Sequence, residues 1–337
     1  MKVILMVAGL LLTQFFSAHC QFKKYNFQQP KMGSPFNIIM YADDSSKAAF
    51  AAEKAFKLVD TLNQVYSDYL PTSELNQLCS TAGSGKWIKA SPILYDILIK
   101  AKTAGRQSKG SFDISMSPVI RIWRNARRIN KLPSKDSIRL AMQKVGYRFI
   151  EIDTVKQLVR LIKPGMQLDL GGIAKGETAQ RVYDRLNQMG YPYALIDAGG
   201  DIVAGSTPVG ISGWKVAINL PESEELMDKQ LLLAKKAVTT SGDLYQYLEV
   251  NGVRYSHIID PATGWAVTNN RNVTVIANDG THADWLTKAC TILSIKKALK
   301  LISKYPGAEV QIAVIQNEKI HFNRSKGFVT YFNVIAK

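Results

Sequence analysis

Residues 167–180 read QLDLGGIAKGETAQ, an apolar run that meets Gly171 and Gly172 and then opens a helical pattern with Lys175 in its first turn. Read as strand, turn and helix, the stretch has the build of a phosphate cradle. Glycines let backbone N–H groups approach a ligand closely, a helix N-terminus adds about half a positive charge, and Lys175 adds a full one. The GGxxxG spacing is neither that of the P-loop nor that of the dinucleotide fingerprint, so on its own the run equally suits a strand-to-helix turn with no ligand. A second glycine turn follows closely. In YALIDAGGDIVAG, residues 193–205, another apolar strand ends in Gly199, Gly200 and Asp201. Two such turns point to one shared site.

Outward from these turns, helices and strands mix without regular βαβ alternation. This predicts an α+β fold of mixed, largely antiparallel sheets with packed helices. Helical spacing of apolar residues predicts helices over 48–66, with Ala52, Phe56, Val59 and Tyr66 on one face, and over 93–104, 135–145, 174–189 and 283–304. Ser134 caps the third of these and Gly146 stops it. Strands are expected at 149–153 and 158–162 as a hairpin, at 193–196, 214–220, 255–259 and 273–277, and at 310–315 with 319–322 as a closing hairpin. No repeat and no linker divides the chain, so residues 21–337 read as one functional unit, with two subdomains as the alternative.

The 337 residues suffice for a sizeable core, and 46% apolar with 21% charged content is that of a globular protein. Residues 1–20 stand apart: Lys2, an apolar run from Val3 to Leu12 and the small-residue end Phe16-Ser17-Ala18-His19-Cys20 have the form of a secretory signal, too short for a stable span. Ala18-His19-Cys20 fits cleavage before Gln21 better than lipid attachment at Cys20, which would want a small residue in place of His19. Either exit predicts a periplasmic protein. Cys79 and Cys290 then remain, too few for a disulfide framework, and are expected as buried apolar residues rather than as one bridge. The net charge of +16, of which Lys2 leaves with the leader, calls for a partner. Export and the scatter of the basic residues exclude nucleic acid. The densest patch, RIWRNARRINK at 121–131, reads as a solvated basic loop, with an anionic membrane surface or an acidic partner as the alternative.

Eight motifs fall in order along the chain, the first at Met32. They are Met32-Gly33-Ser34, Ser73-Glu74-Leu75-Asn76, Phe112-Asp113-Ile114-Ser115, DLGGIAKG at 169–176, AGGDI at 198–202, Thr240-Ser241-Gly242-Asp243, SHIIDPATG at 256–264, and Ala283-Asp284. On these the chain resembles the FAD:protein FMN transferase (ApbE) family. The resemblance implies a T-fold-like α+β enzyme that binds FAD with Mg²⁺, cleaves its pyrophosphate, and links FMN through its phosphate to a Thr or Ser of an exported or membrane redox-protein subunit, releasing AMP. An FAD-binding protein without transfer, or an FAD pyrophosphatase, are the alternatives.

The resemblance also assigns residues. It implies FAD contacts from Met32, Tyr69, Asp113, Gly171, Gly172, Lys175, Gly199, Gly200, Asp201, Thr240, Ser241, Gly242 and His257, with a core role for Met32 and Tyr69 as the alternative. His257 is the expected catalytic base, with Asp243 as its rival or as a second metal ligand; a lone strand histidine is otherwise more often structural. The implied metal ligands are the Ala174 carbonyl, the Asp284 carboxylate and a hydroxyl four residues on. Here that position holds Lys288, whose ammonium cannot ligate a metal and is repelled by one. Either Lys288 pairs with Asp284 in place of the ion, or it swings out and water completes the metal shell. Two further departures are Gln180, where the family has an acid, and Ser117, where it usually has glycine.

Overall fold

The computed structural model describes residues 22–218, 220, 223–242, 247–316 and 319–334. Its main sheet has eight strands: β1 (Lys23–Lys31), β2 (Ser34–Ala42), β3 (Ala194–Asp197), β4 (Asp201–Ala204), β5 (Lys236–Gly242), β6 (Arg271–Ala277), β7 (Glu309–Gln316) and β8 (Lys319–Arg324). Their order in space is their order in the chain, and every neighbouring pair is antiparallel. Six helices fill the connection from β2 to β3: α1 (Ser45–Tyr66), α2 (Glu74–Ser80), α3 (Pro92–Gln107), α4 (Ser117–Arg128), α5 (Lys135–Met142) and α6 (Ala174–Gln188). Two more, α7 (Gly280–Ile292) and α8 (Ile295–Ile302), join β6 to β7. The fold is therefore α+β and largely antiparallel, as predicted.

Both faces of the sheet are covered, and the period of two divides the side chains between them. Phe36, Ile38, Met40, Val273, Val275 and Ala277 join the core beneath the helices. Val238 and Ile276 pack on the other face with Trp214, Leu231 and Phe328, under the three-stranded sheet of Trp214–Ala217, Lys229–Leu233 and Phe332–Val334. The expected face of α1 is buried in full: Ala52, Phe56, Val59 and Tyr66 are each at most 4% exposed. Cys79 and Cys290 are buried free thiols.

The structure corrects four readings. The basic stretch 121–131 is not a loop but mostly α4, because Val119, Trp123 and Ala126 lie one turn apart and are buried. The helix expected over 283–304 is two, parted where Leu293 and Ser294 turn extended. Residues 167–170 are not a strand; they run irregularly into the turn. The strand expected at 255–259 is Val253–Ser256, paired with Tyr247–Val250.

Candidate active site

One end of the sheet gathers the predicted residues. Met32 and Gly33, at φ 50° and 75°, close the β1–β2 turn, and Gly199 and Gly200, at φ 72° and 96°, close the β3–β4 turn. Positive φ at both central residues is the geometry that follows the twist of a two-residue hairpin, which selects glycine. β2 pairs with β3 in the register Asn37↔Asp197, so both turns lie at the same end, and a Cβ on Gly199 would stand 2.4 Å from Ser34 Oγ.

The first glycine turn is held from beneath. Asp169, 7% exposed, accepts from Gly171 N–H at 2.7 Å while its own N–H donates to the Ile114 carbonyl at 2.7 Å. Its other oxygen receives Arg124 at 2.7 Å; the same guanidinium reaches Asp68 at 2.5 Å and lies 4.4 Å over the Tyr69 ring. Burial first, and then the neighbouring Asp68, push the Asp169 carboxyl above the usual range; Arg124 opposes them. Trp123, beside Arg124, donates to the Gly264 carbonyl at 2.9 Å and stacks on Tyr255, so α4 ties the His257 segment to the glycine turn. Within the basic stretch 121–131, Arg124 is a strut of the site.

The two turns meet through charge. Lys175 Nζ lies 2.9 Å from Asp201 Oδ2, and Asp201 Oδ1 accepts from Thr239 Oγ1 at 2.9 Å. Asp284, on α7, accepts from Gly176 N–H at 3.0 Å through one oxygen and meets Lys288 Nζ at 2.7 Å through the other. A neighbouring helix thereby caps the first turn of α6, which has no side-chain cap of its own. Closeness requires glycine: a Cβ on Gly176 would stand 2.1 Å from the Gly280 carbonyl oxygen. Burial raises the Asp284 carboxyl, and the charge on Asp201 adds to it. Burial would raise Asp201 too, but Lys288 and Lys175 outweigh it and hold Asp201 below the usual range. Burial disfavours the Lys175 ammonium, yet Asp201 and Asp284 more than restore it, so its affinity for a proton rises. The acid side chains are 3% and 0% exposed and the lysine side chains 32% and 19%, so the cluster turns a cationic side outward from a buried anionic floor.

Other expected residues have other employments. Asp113 accepts from Ser115 N–H, Ser115 Oγ and Tyr147 N–H, at 2.8, 2.6 and 2.8 Å, and so caps its loop. Strand alternation puts Thr239 and Ser241 on the face of Asp201 and turns Thr240 away, its hydroxyl 3.0 Å from that of Thr274. Thr239 was missed by sequence reasoning, although its place before the Thr240-Ser241 motif was the available signal. Tyr69 is 72% exposed, so a core role is excluded; Met32 is half-buried against the core. His257 is half-buried just past Val253–Ser256. Asp243 lies outside the described residues. Gln180 keeps a structural duty, accepting from Gly280 N–H at 3.1 Å. Ser117 is buried at the start of α4.

The ligand set implied for Mg²⁺ does not suit this chain. Gly176 N–H donates to one Asp284 oxygen, the Lys288 ammonium stands 2.7 Å from the other without hydrogen-bonding it, and the Thr287 hydroxyl donates back to the Ala283 carbonyl at 2.5 Å.

Comparison with known proteins gives the same picture. The ApbE family model matches residues 32–312. The FAD:protein FMN transferase of Treponema pallidum is 28% identical over 303 residues, 85% of this chain and 83% of that one. The enzyme of that name from Klebsiella pneumoniae is 27% identical over 81% of this chain and 84% of its own. Among solved structures, the apo flavinyl transferase ApbE of Pseudomonas stutzeri superposes with a TM-score of 0.82 at 26% identity, covering 93% of this chain and 98% of that chain. The ApbE protein of Thermotoga maritima gives 0.80 at 26% identity over 92% and 99%. With the motifs, the fold and a family match over most of its length, the chain belongs to the ApbE family.

Proposed function

We propose that this protein is an FAD:protein FMN transferase. A Thr or Ser hydroxyl of a target protein attacks the FMN phosphorus of FAD and gives up its proton; the bridging P–O bond breaks, its electron pair leaves with AMP, and FMN stays on the target as a phosphoester. One observation carries the reading: two glycine turns, joined by the Lys175–Asp201 ion pair, present two lysines above buried acids at one sheet end, in a chain of the ApbE family. Phosphoryl transfer is mainly positioning and charge neutralisation, and a pyrophosphate needs clustered cations held in place. Asp201 and Asp284 keep Lys175 charged and aimed.

His257 is the proposed base, since histidine alone titrates near neutrality in its ordinary state. The exposed Tyr69 ring and Met32 at the neighbouring turn would flank the isoalloxazine. Of the cations, Mg²⁺ is what the resemblance implies, but the pairing of Asp284 favours an ammonium in its place, and no step is assigned to a metal. The leader pattern supports a periplasmic site of action on an exported or membrane redox subunit, and the net charge of +16 suits an acidic partner or an anionic membrane surface. The test is to incubate the protein with FAD and a purified candidate acceptor and to look for covalent flavin fluorescence on a denaturing gel. A fluorescent acceptor band is expected. AMP without a band would make the protein a pyrophosphatase, and bound yellow FAD with neither would make it a carrier.

A further inference from the structure

We propose that Lys288 is a built-in cation of this site, so that two ammonium groups, Lys288 and Lys175, hold the pyrophosphate and FAD binds without a divalent metal. The inference rests on the reading of the site as a flavin nucleotide site. Its ground is the burial of Asp284. A carboxylate with a side chain 0% exposed must be neutralised, because an uncompensated buried charge is strongly destabilising. Asp284 therefore needs a compensating cation or a proton, and the Lys288 ammonium stands 2.7 Å from Oδ1.

Three observations choose lysine. Lys288 follows Asp284 by four residues on α7, the acid-first order in which the two side chains share a face, and its Nζ lies 2.7 Å from Oδ1. Lys175 is already paired with Asp201 at 2.9 Å. The Lys288 stem runs beneath the glycine turn, with Cγ 3.3 Å from where a Cβ on Gly172 would stand, so its ammonium is delivered between the turn and the buried acid. The two acids and two lysines already balance. A divalent ion at Asp284 would have to displace the Lys288 ammonium, which stands 2.7 Å from Oδ1.

The test uses the full chain freed of metal by EDTA and dialysis. FAD binding is followed by flavin fluorescence with EDTA and with added Mg²⁺, and ion binding without flavin is followed by the Mn²⁺ electron paramagnetic resonance signal. Wild-type protein should bind FAD in EDTA within about twofold of its affinity in Mg²⁺, and should show no stoichiometric Mn²⁺ site. Lys288→Thr should lose about tenfold or more of its FAD affinity in EDTA, the scale of one charge-assisted phosphate contact, regain it with Mg²⁺, and acquire a Mn²⁺ site. Lys288→Arg, which keeps the charge and guards against a folding artefact, should bind FAD in EDTA. If wild-type protein loses FAD in EDTA and recovers it with Mg²⁺, the lysine is not the cation, while the flavin reading stands. Should FAD fail to bind under either condition, both readings fall.

Discussion

Replacing Arg124 by alanine tests how the glycine turn is held. Its guanidinium lies 2.5 Å from Asp68 and 2.7 Å from Asp169, whose side chains are only 8% and 5% exposed. Exposed ion pairs are worth roughly 0–1 kcal/mol, but removing one partner of a buried pair costs roughly 3–5 kcal/mol because a charge is left without compensation. Arg124 is itself 28% exposed, so water can reach part of the vacated space, and the lower end, about 3 kcal/mol, is the expected loss. The sign with pH is fixed. Burial and Asp68 already raise the Asp169 carboxyl, and loss of Arg124 raises it further, so the deficit should be largest at neutral pH and shrink as pH falls through the carboxylate range. Urea unfolding of wild type and Arg124→Ala at pH 7.5 and pH 4.5 measures this. Adding Asp169→Asn to Arg124→Ala should recover part of the stability at pH 7.5. A loss below about 1 kcal/mol at neutral pH, or one that grows as pH falls, refutes the strut.

Gly176→Ala should destabilise by about 1–3 kcal/mol or more and weaken FAD binding, since its Cβ would stand 2.1 Å from the Gly280 carbonyl oxygen and the gain in helix propensity is only about 1 kcal/mol; urea unfolding reads the first effect and a flavin titration the second. His257→Asn should keep FAD affinity and slow transfer about a hundredfold or more, the range for a lost general base; single-turnover kinetics separates it from a binding defect. The Lys175–Asp201 pair should support stability across a broad plateau. It is lost on the acid side as pH falls through the lowered Asp201 value, starting from the ordinary 3.8, and on the alkaline side as pH rises through the raised Lys175 value above 10.5. Unfolding free energy against pH for wild type and the Lys175→Met, Asp201→Asn double variant checks both edges.

Much of this was legible because the period of the sequence matched the packing. In α1, α3 and α6 the apolar stripe faces one core, and Ser134 caps α5 as its position implied. The stretch 121–131 misled because its charges outnumber its apolar residues, although Val119, Trp123 and Ala126 do recur at helical spacing. The first strand escaped notice because an edge strand is half polar, and KKYNFQQPK has the lysines and proline with which such edges discourage further pairing. The break between α7 and α8 had a signal in Ser294, overridden by the apolar run around it. At the site, the glycines, Lys175, Asp201 and Asp284 were legible as motifs. Their joining was not, since the Gly176–Asp284 contact spans 108 residues and depends on the absent Cβ atoms of Gly176 and Gly280.

The most direct test of the central claim, that the joined glycine turns are the pyrophosphate site of FAD, is a titration of wild-type and Lys175→Ala protein with FAD, with circular dichroism confirming that both are folded. One charge-assisted phosphate contact is worth about 1.5–3 kcal/mol, so Lys175→Ala should bind FAD about ten to a hundred times more weakly. An unchanged dissociation constant in folded Lys175→Ala protein would contradict the account.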